Sequence, residues 1–341
     1  MQKQTMALVF GVLATLLSAV PRLAQAEVCT TQSQMKPADR DSLAAATAAL
    51  ASKVQASDTA ALRTLTVAEL SKDFSGVEGV VANTAPKLKD ATLTVDQVYI
   101  LEGSELKRTA DGSNPDAQFF CSLNKTAAEV DFLIPQLPPG RYGFAIAQSR
   151  NATPWRLSFL LRQEQGRWAM AGFYPRATLA AGHDGVWYWT EARNMVKSKQ
   201  QWNAWLYYQQ AASLLQPAPF VQSSHLEKLH TESAAAAPPA LSDGISTDAP
   251  LVVKGADGVE YHFTALGTDD SLGKEKIDVV AHLKVETLGD PVAAKKRNTD
   301  AMTALLGAYP ELRKAFRGVW MITETTAQNP FVTISAMTEI H

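Results

Sequence analysis

The side chains able to do chemistry are few. His183 and Asp184 stand together between Gly182 and Gly185, the one histidine–carboxylate neighbour pair in a glycine-flanked loop. Flexible backbone there can present an imidazole and a carboxylate to a pocket mouth, as proton transfer or ligand capture requires. The same Gly-x-x-Gly spacing is also an ordinary turn, with Asp184 capping the helix that follows. Asp96 is the second candidate. By strand alternation it shares a face with Val98 and Ile100, where partial burial raises a carboxyl pKa; a capped or ion-paired aspartate is the competing reading. Glu129 and Asp131 face away from Val130, Phe132 and Ile134, toward solvent. We therefore take His183, Asp184 and Asp96 as candidate ligand-binding residues and assign no catalytic residue.

Recognised chemical signatures are absent: the chain has no GxSxG, HExxH, Walker loop, GxGxxG or CxxC. Ser33 to Lys36 and Ser271 to Lys274 fit Ser-x-x-Lys. A hydrolase of that type needs the serine to open a helix with the lysine one turn on, whereas one match falls in an N-terminal tail and the other in a Gly/Asp loop. His225 and His230 are five apart and do not share a helical face, which disfavours metal binding. His262 and His282 fall on the outer face of a second sheet with no Cys or Asp arrangement to support a site. Residues 27–182 contain no histidine, so acid–base work there would fall to carboxylates. No metal and no organic cofactor is expected.

The elements that must position these residues change period along the chain. Residues 38–56 carry Leu43, Ala46, Leu50 and Val54 on one helical stripe. Asp58 caps a second short helix, and Thr66 and Glu69 have capping-box spacing for a third, with helix continuing to about Val81. From Ala91 the period becomes two. Strands are expected at 92–101, 118–122, 128–134, 141–148, 155–163 and 167–174, the last two forming a hairpin through Gln165 and Gly166. Leu137-Pro-Pro-Gly140 is a turn. Helices first, then a meander ending in Leu-x-Phe-Leu-Leu-Arg-x-x-x-Gly-x-Trp (157–168), resembles the nuclear transport factor 2-like (cystatin-like) superfamily over residues 38–176. The resemblance implies a cone-shaped α+β fold enclosing a pocket between a curved sheet and its helices, in a superfamily that holds both enzymes and binding modules.

Residues 182–217 concentrate four of the chain's seven tryptophans. Ala204, Tyr208 and Ala211 stand as in the second helix of a tetratricopeptide repeat, with Tyr188 and Ala192 at packing positions of the first. Glu191 and Gln201 depart from that pattern, Pro217 comes one residue late, and no second copy occurs. A lone helical hairpin cannot bury its own apolar face, so it is expected to dock, most simply on the preceding sheet domain, without a peptide groove.

Residues 233–250, poor in aromatics and rich in Ala, Pro, Ser and Asp, read as a linker. Residues 251–341 then read as a smaller α+β domain. Its strands are expected at 251–254, 260–265, 276–285, 318–323 and 331–338. Asp290 and Pro291 open a helix with Val292, Met302, Leu305 and Leu306 inward, and a short helix follows at 311–316. The order suggests an antiparallel sheet with helices on one face. The division is therefore a signal at 1–26, a tail at 27–37, a cone-shaped domain at 38–180, a hairpin at 181–232 packed on it, the linker, and the C-terminal domain.

The first 26 residues have a basic start at Lys3, an apolar run from Met6 to Val20 and Ala24-Gln25-Ala26 ahead of Glu27, the pattern of a cleaved secretory signal. The apolar run is too short for a spanning helix, and no later one is long enough. Removing Lys3 and Arg22 takes the formal charge from −2 to −4. The charges are mixed in sign, so nucleic acid is a poor partner. Cys29 and Cys121 can close a disulfide in an oxidising compartment, worth up to ~4–5 kcal/mol for so long a loop; two free thiols are the alternative. The reading is an exported, non-catalytic binding or assembly module whose partner is an unknown protein or small molecule. The alternative is a small-ligand carrier or an enzyme using the cone's pocket.

Overall fold

The computed structural model describes residues 27–122, 129–256, 258–326 and 329–341. The expected signal segment, 1–26, lies outside them. The expected tail at 27–37 does not stay loose: β1 (Glu27–Thr31) is an inner strand of the first sheet. Next comes α1 (Pro37–Gln55), begun by a proline whose missing N–H is harmless at that position and burying Leu43, Thr47, Leu50, Ala51 and Val54. α2 (Thr59–Thr64) is capped by Asp58, which accepts from the Ala61 N–H at 3.0 Å. The Thr66–Glu69 capping box is not formed. Residues 65–67 are instead drawn into pairing with Met170, and the Thr66 hydroxyl donates to the Leu62 carbonyl at 2.7 Å. α3 (Ala68–Lys72) and α4 (Ser75–Thr84) complete the helical part.

The expected strands follow as β2 (Thr92–Gly103), β3 (Ala117–Ser122), β4 (Glu129–Ile134), β5 (Gly140–Arg150), β6 (Trp155–Glu164) and β7 (Arg167–Ala177). A short ribbon of β8 (Leu179–Ala180) and β9 (His183–Asp184) leads into the hairpin of α5 (Gly185–Lys197) and α6 (Gln201–Leu215). A strap then runs through Phe220 into β10 (Val221–Ser223) and α7 (Ser224–Ala235). The first sheet has the order β10-β4-β3-β1-β2-β5-β6-β7 and curls into a half-barrel, so the fold is mixed α+β. β1 runs antiparallel to β2 and parallel to β3, and the Cys29–Cys121 disulfide crosses that second junction with Cα atoms 5.3 Å apart.

This sheet is apolar on both faces. One face, with Val98, Ile100, Ala145, Ala147, Leu157 and Phe159, packs on α1, α2 and α4. The fit is close: a Cβ on Gly143 would lie 2.5 Å from a Leu43 methyl. The other face, with Tyr99, Leu101, Phe119, Phe132, Phe144 and Ile146, is met by Ala218, Phe220 and Val221 of the strap.

The hairpin's apolar residues join the core of the second sheet rather than that of the first. Trp202, Leu206, Tyr207, Tyr208 and Ala211 share one cluster with Phe263, Leu266, Ile277 and Phe316. The Asn203 amide donates to the Glu311 carbonyl at 2.9 Å, the Tyr207 hydroxyl to the Ala315 carbonyl at 3.2 Å, and Trp202 packs on Tyr309. The expectation that the hairpin packs on the domain before it is therefore incomplete, because its buried core is shared with the second sheet. The α6 residues Trp202, Leu206 and Tyr207 turn to the second sheet, while α5 and the end of α6 overlie the Phe144 face of the first, where Arg156 donates to the Leu214 and Leu215 carbonyls at 3.2 Å. The stretch expected as a linker is also partly packed: α7 runs to Ala235, and Ala236 and Leu241 are buried in the same core.

The second sheet comprises β11 (Leu251–Lys254), β12 (Glu260–Asp269) and β13 (Asp278–Lys284), then, past α8 (Pro291–Ala308) and α9 (Leu312–Ala315), β14 (Gly318–Glu324) and β15 (Phe331–Ala336), in that order. It is not antiparallel throughout. β13 and β14 are parallel, because α8 crosses over between them, as a parallel pair requires. Asp290 caps α8 through the Val292 and Ala293 N–H groups. Val292 itself is 80% exposed, contrary to expectation; the inward stripe is Ala294, Asn298, Ala301, Met302, Leu305 and Leu306. Among the described residues no helix is long and apolar enough to cross a membrane.

Candidate functional site

The face of the first sheet turned away from α1 is incompletely filled. A cavity of about 550 Å³ opens between the sheet and a roof made by α5, the strap and α7. Its floor is aromatic and aliphatic. Tyr99 and Phe132 meet edge to face at 5.3 Å, as do Phe132 and Phe144 at 5.1 Å, with Ile146 and Val130 beside them. Tyr99 donates its hydroxyl to Gln97 Oε1 at 3.2 Å, and burial pushes that hydroxyl above its ordinary pKa. Val186, Trp189 and Leu215 come down from the hairpin, Pro217 and Val221 from the strap, and Leu226 from α7.

The polar groups around this space are mostly engaged. Arg193 makes a bidentate pair with Glu232, at 2.7 and 2.8 Å, while its guanidinium lies 4.5 Å over the Trp189 ring. The Trp189 indole N–H donates to the same carboxylate at 2.8 Å. These donors, Arg193 above all, hold the Glu232 carboxyl down at about 2. The cluster ties α5 to α7 and so fixes the roof. Ser223 caps α7, its hydroxyl accepting from the Leu226 N–H at 3.2 Å. His225 and Lys228, both exposed, line the rim and have no hydrogen-bond or ion-pair partner among the described residues.

A second cavity of about 730 Å³ lies on the same sheet face, lined by Leu133, Leu137, Tyr142, Leu160, Tyr174 and Phe220 among others. Phe220 stands between the two. It packs edge to face on Phe144, on the floor of the first cavity, at 5.6 Å, and on Tyr174, in the second, at 5.2 Å.

The residues singled out from the sequence lie elsewhere. Asp184 is the α5 cap, accepting from the Trp187 N–H at 2.8 Å. His183 is held in a strand ribbon, its ring stacked on Trp187 at 3.7 Å. Ala181 and Gly182 make the ribbon's tight turn with φ of 46° and 82°, so the glycine serves the turn and leaves no flexible loop. Asp96 is exposed and accepts from the Thr94 hydroxyl at 3.1 Å. A bulge between Val95 and Gln97 makes Asp96 an extra residue in β2, which breaks the alternation that put it with Val98. None of the three lines the apolar cavity. Asp131 is not fully solvated either: β10 pairs along it, one carboxylate oxygen is buried without a partner, and burial, then Glu129 and Glu227, raise its pKa.

In the sequence Tyr99, Phe132, Phe144 and Ile146 stand out only as strand residues, Trp189 only as one of the hairpin's aromatic packing residues, and Arg193 not at all. A usable signal was present. β2 reads Val98-Tyr-Ile-Leu101 and β5 reads Tyr142-Gly-Phe-Ala-Ile-Ala147, continuous apolar runs that mark strands covered on both faces. Among the described residues, no group of three or more His, Cys, Asp or Glu is placed to hold a metal ion. No family model matches this chain, and comparisons with curated proteins and with solved structures likewise give no match.

Proposed function

We propose that this chain is a non-catalytic binding module that holds a small apolar ligand in the cavity between the first sheet and the α5–α7 roof. One observation carries the reading: an aromatic-floored space of about 550 Å³, within the usual range for small-molecule sites, between the first sheet and its roof. The polar groups around it support binding rather than turnover. The lining residues include no carboxylate, and the serine among them is engaged as a helix cap. The order of helices followed by a curled sheet supports a relation to the nuclear transport factor 2-like cone. In that relation the ligand site would lie on the sheet face opposite α1, and a tetratricopeptide-like hairpin would form its roof. The disulfide supports an oxidising destination, in line with a secretory signal at 1–26 and a periplasmic or extracellular location.

The test is titration with a neutral solvatochromic dye, comparing the parent protein with Ile146→Trp, which places an indole in the cavity. Saturable one-to-one binding that Ile146→Trp abolishes supports the reading. Absence of saturable binding, or binding indifferent to the substitution, overturns it.

A further inference from the structure

The rim of the cavity says more about the ligand than its floor does. We propose that the bound molecule is a carboxylate-ended single-chain amphiphile, its chain on the Tyr99–Phe132–Phe144 floor and its carboxylate at Lys228 and His225. This inference rests on the cavity being a ligand site, as argued above.

The charge pattern is one-sided. The lining contains three basic side chains, Arg193, His225 and Lys228, and no acidic one. The charge of Arg193 is paired bidentately with Glu232, and the two bases of the lining without such a pair are His225 and Lys228. His225 and Lys228 are three apart on α7 and therefore neighbours on its surface. Both lie in the opening turns of that twelve-residue helix, where the dipole also favours negative charge. The nearby acids do not oppose them from within the site. The charge of Glu232 is paired with Arg193, its oxygen also accepts from the Trp189 indole, and Lys228 acts on it only at longer range; Glu227 acts on Asp131 of β4, whose strand neighbours Val130 and Phe132 face the cavity instead.

A neutral apolar ligand would leave both bases without a hydrogen-bonding partner, and a zwitterionic headgroup would need an anion at the rim that the lining does not supply. Two donors and a single negative charge match a carboxylate, with its two oxygens, in charge-assisted hydrogen bonds. Volume limits the rest of the molecule. Phe220 packs edge to face on Phe144 toward the second cavity, and about 550 Å³ is room enough for one such chain.

The experiment is calorimetric titration, below micelle-forming concentrations, of dodecanoate and of dodecanol, which has the same chain without the charge. The parent protein should bind dodecanoate about tenfold more tightly than dodecanol, as expected for charge-assisted contacts. The double variant His225→Gln/Lys228→Gln, altered only at exposed positions, should lose that preference while binding dodecanol within about twofold of the parent. Equal affinities for the two ligands in the parent, or an undiminished dodecanoate affinity in the double variant, would overturn the headgroup assignment and leave the cavity reading standing. If neither ligand binds the folded parent, the cavity reading falls with it.

Discussion

The two faces of the first sheet are built from the same strands, yet one is filled and the other is hollow. Ile146 and Ala147 are adjacent and point to opposite sides. On the Ala147 side lies α1, a regular helix whose stripe of Leu43, Leu50 and Val54 seats against a sheet narrowed at Gly143. On the Ile146 side lies an irregular strap between two helices, and those helices are positioned by other contacts: α6 by the second sheet, α5 and α7 by the Arg193–Glu232 clamp. A cover whose position is set elsewhere need not conform to the surface beneath it. Regular periodicity fills space, while a roof borrowed from a neighbouring unit can leave room for a guest.

The largest expected effect is on the covalent tie that the hollow face carries. Cys29→Ser with Cys121→Ser should lower unfolding free energy by ~4 kcal/mol in the chain-entropy model, read as a lower denaturant midpoint. A loss below ~1 kcal/mol would show that the hollow face does not depend on the bridge. Next, Leu43→Ala on the filled face should cost about 3–4 kcal/mol, against about 1–2 for Ile146→Ala, whose side chain already borders empty space. Equal costs would dissolve the distinction between the faces. Enlargement should then separate neighbours. Ala147→Leu overpacks the α1 interface and should cost ~1–3 kcal/mol, whereas Ile146→Phe has room and should stay under about 1 kcal/mol.

A modest effect concerns the clamp that holds the roof. The Glu232 carboxyl is lowered from its ordinary range to about 2, so its contribution is fully present above pH 4.5 and lost as pH falls through about 2. Because the carboxylate is partly exposed, Glu232→Gln should cost only about 1 kcal/mol at neutral pH. The gap between parent and variant should close on acidification between those limits, which urea midpoints measured along a pH series would show. A gap independent of pH would mean that shape rather than charge holds the clamp.

Much of the fold was legible because strand and helix periods were clean. β2 to β7, α1, the capped α2, the α5–α6 hairpin and the Asp290 cap of α8 all stand where spacing put them. The misreadings share a cause, since each concerned which element another would meet. Residues 27–31 carry too few side chains to show that two strands await them, the aromatics of α6 do not name the sheet they enter, and one extra residue in β2 was enough to turn Asp96 outward. The candidate site was less legible still. His183 and Asp184, candidates for chemistry, are a stacked ring and the helix cap that the same spacing also allowed, whereas the cavity is made of residues that look like core. A void depends on how two surfaces fail to match, and no single segment encodes that.

β1 has a consequence for how the molecule comes together and how it would come apart. Without it, the first sheet is two ribbons, β10-β4-β3 and β2-β5-β6-β7, each presenting a raw edge to the other. Only five residues from the start of the described chain fill that gap, like a keystone, and two of them register with β3. The half-barrel therefore cannot close until this short strand is free to slide between β2 and β3, which follow it well along the chain. Under load the seam between β1 and β3 should be the first to part, with the disulfide as its only covalent stitch.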